Sequence, residues 1–145
     1  ITGAGAAGCQ TMATGCTLTS TGNVTGPLLG TYSSTFTILW ATTGQPNSAV
    51  AGGFCADASG DVTLTLPGLG TLTKHETGKV CETTATGANV PHQFNGTFTV
   101  TSGTGIFAGA TGEGSTTSTQ QPGATSAQGG AVSGSESFTK LTLHL

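Results

Sequence analysis

The sequence predicts an all-β fold, an antiparallel β-barrel of about eight strands with a β-sandwich as the alternative, and three observations carry that expectation. Apolar and polar residues alternate with period two in one segment after another, the pattern of half-buried strands. Clusters of Gly, Pro, Asn and Asp separate these segments at intervals of roughly 8–20 residues, the rhythm of sandwiches and barrels. No window of a dozen residues carries the i, i+3, i+4, i+7 pattern of an amphipathic helix.

The elements follow in order along the chain. Residues 1–8 are small and uncharged and read as a flexible or extended N-terminal arm, leaving residues 9–145 as a single domain. A first strand is expected at 13–20. At 31–41, Phe36, Ile38 and Trp40 alternate with Thr35, Thr37 and the exception Leu39. Strands at 49–56 and 61–66 are parted by a turn at Ser59-Gly60-Asp61, and Val62, Leu64 and Leu66 alternate with Thr63 and Thr65. Two more are expected at 71–76 and 79–84. At 93–102, Phe94, Phe98 and Val100 alternate with Asn95, Thr97, Thr99 and Thr101, and a weaker strand lies at 112–119. Residues 120–135 are low in apolar mass and read as a long loop or a poor edge strand. A last strand at 136–145 carries Leu141, Leu143 and Leu145 on one face. Closure into a barrel would remove sheet edges that so weakly charged a chain cannot guard with lysine.

At 145 residues the chain fits one core. Only 6% of residues are charged, there is no Arg, and 25 Gly accompany 31 Thr, so hydroxyls and backbone must supply the solubility. Three Lys cannot neutralise a row of phosphates, which excludes nucleic acid as a partner class. The longest apolar runs, such as Ile38-Leu39-Trp40-Ala41, fall far short of the ~20 residues of a membrane span. No basic n-region or signal h-region opens the sequence, as expected of an already processed chain.

Cys9, Cys16, Cys55 and Cys81 are even in number, lack CxxC spacing and have no His in zinc-finger register, which favours two disulfides and hence secretion. Of the three connectivities, Cys9 with Cys16 and Cys55 with Cys81 is the expected one, because sequence-near pairs meet in an antiparallel meander.

Residues 94–112 (FNGTFTVTSGTGIFAGATG) form the densest local signal: a strand, a tight Gly-x-Gly turn, an aromatic plug at Phe107, and Gly-Ala-Thr-Gly entering another strand. This segment resembles the strand, GGTGxF turn and strand element of the allene oxide cyclase and dirigent superfamily, and also the TGxFAGATG element of small secreted actinobacterial proteins. The resemblance implies an eight-stranded antiparallel barrel with a hydrophobic cavity. Where dirigent proteins usually continue with an Arg-Gly pair this chain has Thr111-Gly112, and the superfamily's catalytic Arg and acid residues have no counterpart here.

Residue by residue, no catalytic constellation forms. His75 and Glu76 are adjacent, but strand neighbours point to opposite faces. Lys74 and Glu76 share a face and read as an exposed charge pair on an edge strand. His75, His92 and His144 show no metal-ligand spacing, and Asp57 and Asp61 sit in turn-like sequence. Glu82, Glu113 and Glu136 are scattered and read as solvated. No catalytic residue, metal or cofactor is therefore expected, and an enzyme is not the favoured reading. The expectation is a secreted binding protein acting through its surface or an apolar cavity lined by Trp40, Phe36, Phe98 and Phe107, with a protein, glycan or apolar small molecule as partner. Two alternatives stand beside it. One is a dirigent-like or cyclase-like barrel that shapes an apolar substrate. The other is a structural building block of an extracellular matrix or filament, self-associating through the N-terminal arm.

Overall fold

The computed structural model describes residues 2–5, 16–39, 43–51, 53–83, 91–122 and 129–144. Its strands are β1 (Thr2–Gly5), β2 (Cys16–Val24), β3 (Gly30–Ile38), β4 (Gln45–Pro46), β5 (Phe54–Leu66), β6 (Gly70–Glu82), β7 (His92–Gly103), β8 (Thr111–Pro122) and β9 (Gly129–Thr142). All pair antiparallel in the order β3-β2-β1-β9-β8-β7-β6-β5-β4, and β3 pairs with β5 as well. Eight strands therefore have a neighbour on each side and the ladder curls round into a barrel, while the two-residue β4 continues β3's place along β5. The sandwich alternative is set aside.

Strand β1 lies within the segment expected as a flexible or extended N-terminal arm. Thr2–Gly5 lies between β2 and β9, opposite residues 20–23 on one side and 131–133 on the other. Residues of this size offer little apolar area to anchor a strand. They are held by ladder hydrogen bonds that two otherwise open edges offer.

Glycine also misled the division of strands. Residues 54–66 form one strand and residues 70–82 another, each 13 residues long, with Gly60 and Gly78 inside them and no turn at Ser59-Gly60-Asp61. Gly60 sits opposite Phe36, and a Cβ there would lie 2.7 Å from the ring and 2.2 Å from the Thr35 carbonyl oxygen. The glycine marks the place where an aromatic ring crosses the neighbouring strand, one of the accepted uses of Gly in a strand interior. The Phe98 ring likewise crosses to Gly114 on β8, and the Phe94 ring lies over Gly96 of its own strand. Downstream, β8 reaches Pro122 and β9 begins at Gly129, so part of the expected loop at 120–135 is strand, and 123–128 lies outside the described residues. The last strand ends at Thr142, and Leu141 is exposed.

Two clusters fill the barrel. Tyr32, Val62, Leu64, Leu66, Leu72, Phe107 and Ala110 close one end, and Ile38, Ala56, Ala58, Val80 and Phe94 pack further along. Phe107 is the plug that the 94–112 segment suggested. It lies in a single 3-10 turn, Gly105–Phe107, bonded through Ile106 N–H to the Leu69 carbonyl at 2.9 Å. Gly105 begins that turn at φ +61°, and a Cβ there would stand 2.1 Å from the Leu69 oxygen, so both conformation and space demand glycine.

Cys55 and Cys81 face each other across β5 and β6 and are bonded, as expected. The pairing expected for Cys9 with Cys16 lies outside the described residues. The Cys55–Cys81 bridge closes a loop spanning a sequence separation of 26. In the chain-entropy account a loop of this size stabilises by about 3–4 kcal/mol. Reduction is expected to lower the unfolding free energy by that amount, measured by urea titration with and without a phosphine reductant. A change below about 1 kcal/mol, well under that range, would contradict this account. No helix among the described residues is long and apolar enough to cross a membrane.

Candidate functional site

Alternation on β6 builds the centre of the site. Leu72, Lys74, Glu76, Val80 and Glu82 are buried on one face, while Thr73, His75, Thr77 and Lys79 lie on the other. Lys74 and Glu76 thus share a face as the sequence indicated, but it is the barrel interior and not an exposed edge. This corrects the expected solvated pair. Lys74 is completely buried. Its ammonium donates to Glu76 Oε1 at 2.7 Å and to Glu136 Oε1 on β9, and lies 4.3 Å from the centre of the Phe98 ring.

Glu136, expected to be solvated, reaches this lysine across the interior because the strands between carry little side-chain bulk. The row that crosses the sheet at its level reads Ile38, Ala58, Gly78, Gly96, Thr116, Glu136. The next row reads Phe36, Gly60, Glu76, Phe98, Gly114, Phe138. Glycines stand at three of these β6, β7 and β8 positions, where Gly96 and Gly114 lie under the Phe94 and Phe98 rings and Gly78 against the neighbouring backbone. Two bulges frame the cluster. Thr101 is the extra residue of β7 and Thr139 that of β9, and each hydroxyl donates to a carbonyl on the strand opposite, Thr73 O at 3.2 Å and Glu113 O at 3.1 Å. Bulges re-aim side chains beside functional sites.

Burial raises the pKa of Glu76 above its ordinary value of 4.5, against the lowering effect of the Lys74 charge and hydrogen bond, and the Glu136 charge raises it further. The folded protein therefore holds this proton more tightly than the unfolded chain does. The Glu76 contribution to stability is full below about pH 4.5 and is lost as pH rises through the folded pKa. Relative to a Glu76→Gln variant, the wild type is expected to lose stability as pH rises from 4 to 8, measured by thermal melts across that range. A difference that grows in the opposite direction would mean that Lys74 outweighs burial at this carboxyl.

Beside the cluster lies a half-open cavity of about 100 Å³. Its lining mixes apolar side chains, Phe36, Ile38, Val62, Val80 and Phe94, with polar ones, Ser20, Ser34, Thr116, Ser118, Gln120 and the carboxyls of Glu76 and Glu136. Tyr32 and His92 also line it. Among the expected lining residues, Phe36 is on the wall. Phe98 lies in the interior against Phe138 and Lys74, and Phe107 is in the plug. Trp40 lies outside the described residues.

Other candidate residues are dispersed. His75 pairs with Asp61 at 2.8 Å and Lys79 with Asp57 at 2.8 Å, both on the outer surface of β5 and β6, so the two aspartates belong to a strand and not to turns. His75 is outside the barrel, His92 lines the cavity and His144 follows β9, so the three histidines do not converge. Compared with known proteins, the chain matches no family model, no curated protein and no solved structure.

Proposed function

We propose that this chain is a secreted binding barrel that takes a small molecule into its interior cavity. The observation that carries this reading is the mixed lining: aromatic and aliphatic side chains together with hydroxyls and two carboxyls around one half-open space. Ligand sites of this kind combine apolar surface for affinity with a few polar groups for orientation. A bonded Cys55–Cys81 pair and a surface of hydroxyls in place of charges suit an oxidising, extracellular setting.

The test is a titration of the 15N-labelled protein with cyclopentanol, a compact apolar body bearing one hydroxyl. Saturable shifts are expected at the amides of Ser34, Phe36, Val62, Phe94 and Thr116, and their loss in Ser118→Phe, which fills the cavity. Shifts that do not saturate, or that survive the filled cavity, would overturn the reading.

A second reading, a dirigent-like or cyclase-like barrel that shapes an apolar substrate, is favoured by Glu76. A buried carboxyl held toward its protonated form on a cavity wall meets the requirement for a general acid. A catalyst would convert its ligand and lose that conversion in Glu76→Gln, whereas a binder returns the ligand unchanged. Self-association through the N-terminal segment finds less support, because both edges of Thr2–Gly5 are paired within the chain.

A further inference from the structure

We propose that the cavity selects a small organic cation, a primary ammonium on a compact apolar body, seated with its charge against Glu76 and Glu136. The inference rests on the cavity reading above and names the class of ligand.

The first support is the distribution of charge. Lys74 sits behind the two carboxylates, fully buried and not on the cavity wall, so the cavity meets two acidic groups and only one interior cation that serves both. Both bonds from Lys74 go to Oε1 atoms. The Glu76 side chain is only 4% exposed and that of Glu136 11%, so both carboxyls are largely desolvated while lining the cavity. Two desolvated carboxylates served by one ammonium gain from a ligand that brings further donors and positive charge. An ammonium supplies three donors and the missing positive charge together.

The second support is size and shape. A cavity of ~150 Å³ takes benzene, so one of about 100 Å³ holds a body of roughly five carbons. Phe36 and Phe94 pack edge to face with centroids 5.1 Å apart and line the same cavity as the two carboxyls, an aromatic surface that suits the apolar part of such a molecule and attracts a neighbouring cation.

Seating a cation here favours the ionised form of Glu76, so binding expels a proton whenever that carboxyl is protonated. The groups that face Glu76 are Lys74 on its own strand and Glu136 across the interior, with His92 on the same cavity wall and His75 on the outer side of β6. The alkyl ammonium, like lysine, stays charged to about pH 10. Affinity for the cation is therefore expected to rise by up to about tenfold per pH unit until Glu76 is ionised, then to level off.

The experiment compares cyclopentylammonium with its neutral counterpart cyclopentanol by calorimetry and amide shifts between pH 5 and 8. The expected result is tighter binding of the ammonium, an affinity that rises with pH for the ammonium alone, and in Glu136→Gln a loss for the ammonium about tenfold or more greater than for the alcohol, the scale of one charge-assisted hydrogen bond. In Glu76→Gln the pH dependence should vanish. A slope that persists there would place the linkage on a group other than Glu76 and overturn the assignment. Equal affinity for ammonium and alcohol would leave the cavity reading standing and overturn this one, whereas failure of both ligands to bind would remove both. If Glu136→Gln does not fold, the wild-type comparison of the two ligands decides alone.

Discussion

Replacing Lys74 with methionine is expected to cost about 3–5 kcal/mol at pH 7.5, the range for removing one partner of a buried ion pair. Methionine fills nearly the same space, so the loss measures charge more than volume. Two carboxylates, Glu76 and Glu136, would remain in the interior with no cation beside them. The Phe98 ring would lose its ammonium neighbour as well. The loss is expected to shrink as pH falls toward 4, where protonation neutralises carboxylates and removes the uncompensated charge. Adding Glu76→Leu and Glu136→Leu to the same chain should recover most of the stability or exceed the wild type, because a well-packed apolar group often equals a buried ion pair. Urea denaturation with unchanged m values provides the measurement. A single-variant loss that is small and independent of pH would show that Lys74 is not holding the two carboxylates.

This cluster was legible in the sequence in one respect and hidden in another. The i, i+2 spacing put Lys74 and Glu76 on one face. The neighbours of the same parity, Leu72 and Val80, are apolar, while Thr71, Thr73, His75, Thr77 and Lys79 share the other parity. Read together they place Lys74 and Glu76 inside. The general rule that charge lies outside overrode that local pattern. Glu136 has a comparable signal in Val132 and Phe138 at the same parity, but its meeting with Lys74 depends on barrel closure across β7 and β8, which no local pattern contains.

Strand identity was legible wherever apolar residues alternate with threonine, as at 30–38 and 92–103, because a side-chain period of two is the direct imprint of a half-buried strand. It failed at glycine. Gly60 and Gly78 look like turn punctuation in a linear reading, yet in the barrel they give way to a crossing ring or a neighbouring backbone. Thr2–Gly5 was unreadable for a different reason: its place follows from two strand edges about 20 and 130 residues away and not from anything in its own side chains. The polar stretch at the start of β9 behaves likewise, its place set by pairing with β8.

Phe98→Ala is expected to destabilise the barrel by roughly 3–5 kcal/mol, the range for truncating a buried aromatic. Phe98 is 2% exposed and lies at the centre of its row. Its ring meets Phe138 edge to face at 4.9 Å between centroids, supports the Lys74 ammonium at 4.3 Å, and covers Gly114, where a Cβ would come within 2.5 Å of the ring. Removing the ring opens a void between β7 and β9 that backbone at Gly114 cannot fill, and an incompletely collapsed void adds its own cost to the lost transfer energy. The ion cluster loses a wall at the same time, so the effects of Phe98→Ala and Lys74→Met should be less than additive, since each already removes the contact between ring and ammonium. A double-mutant cycle read by urea denaturation would measure that coupling. Full additivity would mean that the ring and the ammonium act independently, and a Phe98→Ala loss below about 1 kcal/mol would contradict the burial of this ring at the heart of the barrel.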